Sequence, residues 1–191
     1  CYIIEVIYEK QEKSIKNNNN CLSIDLGINN LMTCYDTKNN KSFIINGKSV
    51  KSINQYYNKK RSDIQSNLIK NHNKYNSNRL NNLTLKRNNK IQDYLHKSTR
   101  FVVNYCVENQ ISNLVVGYNK EWKQEINIGK RNNQNFVNIP YQKLIYMLEY
   151  KSKLIGISFI QNEESYTSKC SALDLEPLNK QGNYMGKRVK R

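Results

Sequence analysis

The sequence predicts an α/β domain built around a mixed β-sheet. Short β-branched runs come first, a long basic section with helical spacing follows, and a strand–helix–strand unit comes next. With 191 residues, of which 38 % are hydrophobic, the chain is long enough to bury one good core. No apolar run reaches the roughly 18 residues that a membrane span needs, so a membrane protein is not expected.

The charge balance indicates a polyanionic partner. Lys and Arg number 31 against 15 Asp and Glu, a net charge of +16. Asn, Lys, Ile and Tyr, which have AT-rich codons, are abundant, so codon bias supplies part of this charge. The start CYIIEVIYEK lacks the features of a secretory signal, and no C-x-x-C pair is present. We therefore expect reduced thiols in a cytoplasmic protein, nucleoid-associated if the host is prokaryotic.

The first elements read as strands. Tyr2–Tyr8 is β-branched and aromatic and predicts a short strand, whereas Glu9–Asn20 is polar and aperiodic and predicts a linker. Three short apolar runs then follow, separated by tight turns: Cys21–Leu26, Leu31–Asp36 and Ser42–Gly47. Their spacing predicts an antiparallel meander.

A helical section interrupts the strands. From Ser49 to about Asn109, apolar residues recur at spacings of three and four, with Lys and Arg on the other faces. The Asn-rich stretch Asn71–Asn82 predicts a break between two helices.

A strand–helix–strand unit comes next. Ser112–Gly117 is an apolar run typical of a buried parallel strand. Pro140 predicts the start of a helix over Tyr141–Ile155, which Gly156 would cap. Ile157–Gln161 predicts a further strand.

Asp25 is the first candidate for chemistry. A carboxylate in the middle of an apolar strand either faces water at a sheet edge or is satisfied by a hydrogen bond or a cation. Gly27 supplies a tight turn, and the next strand returns directly, which is how the first hairpin of an RNase H-like nuclease presents its metal-binding Asp. Such enzymes hold two divalent ions with carboxylates from different strands.

Five segments in this order resemble the TnpB/OrfB family, transposon-encoded relatives of type V CRISPR nucleases. The resemblance runs from about residue 21 to 171 and implies an RNA-guided DNA endonuclease with a RuvC-like domain. It also implies Mg²⁺, a guide RNA from the transposon end and target DNA. The segments are SIDLGINN (Ser23–Asn30), DYLHKSTRFVVN (Asp93–Asn104), LVVG (Leu114–Gly117), IPYQKLIYMLEYKSKLIGI (Ile139–Ile157) and ESYTSK (Glu164–Lys169).

The resemblance divides the chain into five parts. Residues 1–20 would be the last strand of a wedge-type β-barrel and a linker, and 21–48 and 111–171 the two RuvC-like parts. Residues 49–110 would be a helical insertion, and 172–191 the remnant of a target-binding loop region. Because the chain begins with Cys1 and ends in the basic run GKRVKR, we expect a fragment.

Carried over by position, Asp25 is the first catalytic Asp. Gly117 stands where the family has its usual Glu, and glycine cannot bind a metal, so either the nuclease is inactive or the Glu has moved. A rearranged form of the family has this acid near Glu163 and Glu164. Glu164 is favoured because it lies three residues before Thr167, and Glu163 is the reserve. The alternative is a solvated turn that binds no metal.

The third catalytic Asp of the family would lie beyond Arg191, so we expect the 191-residue chain alone not to cleave DNA. The family often has a four-cysteine zinc ribbon after the YTS segment. Only Cys170 is near that position, so no zinc is expected; the other cysteines are Cys1, Cys21, Cys34 and Cys106.

Basic residues are candidates for contact with nucleic-acid backbones, the alternative being a solvated, Lys-rich face. One group follows the β-strand that ends at Gly117 and flanks the single Trp. Positive charge beside an aromatic ring suits contact with single-stranded DNA, although the Trp equally suits a position in the core. The candidates are Lys59, Lys60, Arg61, Lys86, Arg87, Lys90, Arg100, Lys120, Trp122, Lys123, Lys130 and Arg131.

Two other functions stay open. The first is a nuclease-dead RNA-guided DNA-binding protein, which Gly117 favours. The second is a decayed pseudogene product, which the Asn-rich composition favours.

Overall fold

The computed structural model describes residues 4–15, 18–118, 139–167, 169–171 and 174–186. These ranges contain five strands and three helices in the predicted order. The elements are β1 (Cys21–Leu26), β2 (Asn30–Asp36), β3 (Lys41–Asn46), α1 (Lys48–His72), α2 (Asn78–Glu108), β4 (Asn113–Gly117), α3 (Tyr141–Lys153) and β5 (Ser158–Asn162).

The strands form one mixed sheet in the order β3-β2-β1-β4-β5. β1, β2 and β3 pair antiparallel, as the meander predicted, while β1 pairs parallel with β4 and β4 with β5. The predicted α/β class with a mixed sheet is therefore confirmed. β1 is the central strand, so the alternative that placed Asp25 on a sheet edge is wrong.

The core lies between one face of the sheet and the helices α2 and α3. On β1 the alternate residues Leu22, Ile24 and Leu26 are buried, because successive side chains of a strand point to opposite faces. They belong to one apolar cluster with residues such as Leu95 of α2 and Leu148 of α3. The other face of β1 carries Ser23 and Asp25.

The two long helices form a hairpin, and the predicted break lies at residues 73–77. Asn73 ends α1 in the left-handed conformation, with a φ of 48°. Ser77 caps α2, because its side chain accepts a hydrogen bond from the backbone N–H of Leu80 (3.2 Å). In the described ranges no helix is long and apolar enough to cross a membrane.

The strand predicted over Tyr2–Tyr8 is wrong for the part that the structure describes. Residues 4–15 contain neither helix nor strand, and Ile4, Val6 and Ile7 are exposed. A β-branched run becomes a strand only where a neighbouring strand takes up its backbone hydrogen bonds. The domain boundaries given above stay predictions.

Gly156 ends the α3 region with a φ of +74°. The carbonyl oxygen of Ser14 lies so close that a Cβ on this glycine would overlap it. Position 156 therefore requires glycine for two reasons: its backbone conformation and the close approach of the amino-terminal segment.

The buried carboxylate of Asp36 organises the turn after β2. It accepts hydrogen bonds from the backbone N–H groups of Lys38 (2.9 Å) and Asn39 (3.2 Å). It also accepts from the Asn39 amide (2.7 Å) and from the Tyr105 hydroxyl on α2 (2.9 Å). Burial alone would raise the pKa of Asp36, but these hydrogen bonds outweigh burial and the pKa lies below its ordinary value.

We expect Asp36→Ala to lower the free energy of unfolding by about 2–4 kcal/mol, because four donors lose their acceptor. Urea denaturation at neutral pH measures this. The exposed Asp63 provides a control, and Asp63→Asn should change stability by less than about 0.5 kcal/mol. Equal losses for both variants would contradict the role given to Asp36.

The lowered pKa also predicts a pH dependence. The stability contributed by Asp36 is present above its ordinary value of 3.8 and is lost as the pH falls through the lower folded-state pKa. Asp36→Asn should therefore flatten the fall in stability below about pH 4. A pH series of urea denaturation curves provides the measurement, and parallel profiles for the variant and the parent chain would contradict the prediction.

Candidate functional site

The parallel strands bring Asp25 and Gly117 to the same end of the sheet. Ile24 of β1 is paired with Val116 of β4, and Asp25 and Gly117 each follow directly. Gly117 is in turn paired with Asn162, the last residue of β5. The chain just after β5 therefore passes the strand end that carries Asp25.

The side chain of Glu164 occupies the space beside Gly117. A Cβ built on Gly117 would overlap Oε1, Cδ and Cγ of Glu164. The glycine thus leaves open the volume that the carboxylate fills. Position 117, where the family pattern has Glu, and position 164 deliver their side chains to one place.

Asp25 and Glu164 interact electrostatically. Burial, and then the negative charge of Asp25, raise the pKa of Glu164 from its ordinary value to about 7. Burial also raises the pKa of Asp25, partly offset by a hydrogen bond from the backbone N–H of Leu26. Neither carboxyl group ionises easily beside the other. A cation bound between them would stabilise both ionised forms.

Glu163 lies differently. It is exposed, and its Oε1 accepts a hydrogen bond from the Ser165 hydroxyl (2.6 Å) within the same turn. The Thr167 hydroxyl and backbone N–H both donate to the backbone carbonyl of Glu164 (2.9 and 3.4 Å). This turn aims the half-buried side chain of Glu164 toward Asp25 and leaves Glu163 at the surface.

Tyr141 is a residue that sequence reasoning assigned only to the helix core. It is fully buried at the start of α3, and its hydroxyl donates to the backbone carbonyl of Gly27 (2.9 Å). Burial, and then the charge of Asp25, raise its pKa. The hydrogen bond ties α3 to the turn that follows Asp25. A tyrosine at the first helical position after Pro140 is the only signal for this role in the sequence.

The donors at the site suit a hard divalent cation. Both are carboxylates, the oxygen ligands that Mg²⁺ prefers. Within the ranges that the structure describes, no group of three or more His, Cys, Asp and Glu side chains lies close enough to hold a metal. The site therefore consists there of the pair Asp25 and Glu164.

The Cys170 thiol donates to the backbone carbonyl of Pro177 (3.4 Å).

The predicted basic residues fall into three groups. Those on the outer surfaces of the helices are exposed: Lys59, Lys60, Arg61, Lys86, Lys90 and Arg100. Arg87 instead joins the two long helices, because its Nε donates to Asn54 (2.8 Å) and its guanidinium lies 5.5 Å from the Tyr57 ring centre. Outside the described residues lie Lys120, Trp122, Lys123, Lys130 and Arg131.

Comparison with protein families decides the relationship. The family model OrfB_IS605, described as a probable transposase, matches residues 4–123, more than half of the chain. The chain belongs to the OrfB_IS605 family. The TnpB/OrfB resemblance drawn from the five segments is thereby confirmed.

Solved structures with this fold include two Cas12f assemblies. One is described as a Cas12f1–sgRNA–target DNA complex, with 15 % identity and a TM-score of 0.60 over 87 % of this OrfB_IS605 chain. The other is described as a CRISPR–Cas12f ternary complex, with 17 % identity and a TM-score of 0.59 over 88 %. This chain spans 41 % and 33 % of their lengths. The RuvC-like fold is therefore confirmed. In a separate comparison, no curated protein matches the sequence.

We expect Glu164→Gln to stabilise the protein above pH 7, because the folded chain no longer carries a charge that its surroundings disfavour. As the pH rises from the ordinary value of 4.5 to the folded value of about 7, Glu164 costs stability progressively. With allowance for solvent screening, the gain in the variant should be about 1 kcal/mol.

Urea denaturation at several pH values measures this gain. The neighbouring change Glu163→Gln is the control, since that side chain is exposed. A gain that is the same at pH 4 and above pH 7 would show that ionisation of Glu164 is not its cause.

Proposed function

We propose that this chain contributes the nuclease domain of an RNA-guided, metal-dependent DNA endonuclease encoded by a transposon. The observation that carries the proposal is the position of the Glu164 carboxylate, which fills the space beside Gly117 and interacts with Asp25. An acid placed there restores the carboxylate that a glycine at position 117 removes.

The partners follow from the relatives. The Cas12f structures that share the fold are described as complexes with guide RNA and target DNA, so we propose guide RNA and target DNA as partners of this chain. Family membership supports a guide transcribed from the transposon end. The net charge of +16 supplies the attraction to phosphate backbones that both partners require.

The two acids would hold Mg²⁺ from differently supported positions. Asp25 extends from the central strand β1, which pairs with β2 and β4, and is itself paired with Thr33 of β2. Glu164 reaches the same place from the turn after β5, which Thr167 supports. When bound, divalent ions at a carboxylate site activate the attacking water and stabilise the leaving oxygen of a phosphodiester. Tyr141 acts as a positioning residue by holding the Gly27 turn beside Asp25.

Metal binding tests the assignment directly. We expect Asp25→Asn and Glu164→Gln each to weaken binding of Mn²⁺ to the chain by about tenfold or more, because each removes one anionic ligand. Electron paramagnetic resonance of free Mn²⁺ measures this. Glu163→Gln should bind Mn²⁺ nearly as the parent chain does. If Glu163→Gln weakens binding and Glu164→Gln does not, the two residues have been assigned in the wrong order.

An exchange of the two positions tests the shared space. Gly117→Glu combined with Glu164→Gly delivers one carboxylate to the same volume from β4, so we expect Mn²⁺ binding to recover relative to Glu164→Gly alone. The single change Gly117→Glu overlaps the end of the flexible Glu164 side chain, which must turn out of that volume. A double variant that folds, by circular dichroism, but does not recover binding would contradict the proposal.

Cleavage separates the nuclease from a binding-only protein. In the full-length protein with its guide RNA, Asp25→Asn and Glu164→Gln should abolish cutting of matched duplex DNA while guide-dependent binding persists. If the parent protein binds its target but cuts at no Mg²⁺ or Mn²⁺ concentration, it is a nuclease-dead DNA-binding protein.

A further inference from the structure

The helix pair α2 and α3 buries a lysine. Lys151 of α3 is 3 % exposed, and its Nζ donates to the backbone carbonyl of His96 (2.9 Å) and to the Thr99 hydroxyl (2.6 Å) on α2. Both acceptors are neutral. In the part of the chain that the structure describes, the ion pairs are Lys97–Asp93 and Lys153–Glu149, so no carboxylate there pairs with Lys151. Buried lysines without an anionic partner are rare.

Further positive charge surrounds this lysine. Burial, and then the charge of Arg100, lower the pKa of Lys151. Burial, and then Lys151 and Lys143, lower the pKa of His96, while Asp93 acts weakly in the opposite direction. The one acid in this group, Asp93, already pairs with Lys97 at the surface. The cluster therefore has an excess of positive charge that an external anion would relieve.

Lys151, His96 and Arg100 line an open groove of about 500 Å³ between the two helices. Lys151 and Arg100 supply cationic groups, and Phe101 and Tyr150 supply aromatic walls. The Phe101 ring is held edge-on against Phe43, with 5.8 Å between ring centres, yet the residue is 54 % exposed. A volume of this size accommodates a nucleotide unit.

We propose that the groove between α2 and α3 binds a phosphate group of a nucleic-acid strand, with the exposed Arg100 as its cationic donor, the buried charge of Lys151 adding to the attraction from behind, and Phe101 as a stacking surface. The planar guanidinium of Arg100 matches phosphate oxygens, and an exposed ring beside it suits a base or sugar of the same strand. The acidic side chains of a peptide share the charge but have no ring to stack on Phe101, whereas every nucleotide carries a base beside its phosphate, so nucleic acid is the better fit.

The groove is separate from the carboxylate pair. The helices cover the face of β1 that carries Leu22 and Ile24, whereas Asp25 belongs to the opposite face. Along α3, the ten positions from Tyr141 to Lys151 correspond to about 15 Å. The proposal shares with the proposed function only the class of partner, and phosphate binding here requires no metal.

Binding in EDTA tests the groove independently of the metal site. Fluorescence anisotropy would be measured on the whole chain carrying Asp25→Asn, with labelled oligouridylate, oligothymidylate and a DNA duplex as probes. We expect Arg100→Gln to weaken binding about tenfold and to reduce the slope of log affinity against log salt by about one. The charge-matched control is Lys74→Gln, an exposed residue of the inter-helix turn, which should weaken binding less than about twofold.

Two further variants separate a binding role from a structural one. Lys151→Met keeps the length of the side chain and removes the buried charge, so a folded variant should bind less tightly. Phe101→Leu retains an apolar contact to Phe43 and should weaken the single-stranded probes more than the duplex. Comparison of the two single-stranded probes shows whether RNA or DNA occupies the groove.

Three outcomes would overturn the proposal. The first is an effect of Arg100→Gln no larger than that of Lys74→Gln. The second is that Arg100→Gln weakens binding of polyglutamate as much as binding of the oligonucleotides, which would show that the groove binds anions without preference for nucleic acid. The third is unchanged oligonucleotide binding by folded Lys151→Met and Phe101→Leu. Failure of Mn²⁺ binding at Asp25 and Glu164 would leave this result unaffected, because the groove is tested without metal.

Discussion

The parallel pairing of β4 with both β1 and β5 is the constraint on which the site depends. It fixes the ends of three strands side by side, so that residues 45 or more positions apart in the chain become neighbours at one end of these strands. Since side chains alternate along a strand, the register that buries Leu22, Ile24 and Leu26 also places Asp25 on the opposite face. A slip of one residue would bury the acid and expose the core. The hydrophobic effect thus positions a carboxylate that takes no part in the core.

Much of the fold could be predicted because local pattern and final structure agree. The β-branched runs of the meander, the three- and four-residue spacing in α2 and the start of α3 after Pro140 all describe elements that the core then uses. The helix α3 ends at Lys153, two residues before the predicted end at Ile155. The run at Tyr2–Tyr8 has the same composition as those strands, yet its described part forms no strand. The composition of a segment indicates that it can form a strand. Whether it does so depends on a neighbouring strand elsewhere in the chain.

The candidate site was predictable only in part. Glu163 and Glu164 could be singled out because the family resemblance implies a relocated acid near them and Gly117 left a position to be filled, and the spacing to Thr167 favoured Glu164. The different surroundings of the two side chains depend on the turn itself, in which Ser165 engages the carboxylate of Glu163 and Thr167 supports the backbone of Glu164. Arg87 illustrates the opposite case. Its charge made it a candidate for nucleic-acid contact, but its place between α1 and α2 opposite Asn54 and Tyr57 depends on helix packing that sequence spacing does not reveal.

The overlap between position 117 and the Glu164 side chain also constrains how such a protein can evolve. A side chain at 117 and the observed conformation at 164 exclude each other, and two acids there would add a third negative charge beside Asp25. An ancestor that acquired the second acid before discarding the first would have had to turn one of the two side chains out of this volume. The change must pass through a form that has lost its carboxylate or a form that tolerates a crowded edge. Among homologues, an acid at one of these two positions should therefore seldom accompany an acid at the other.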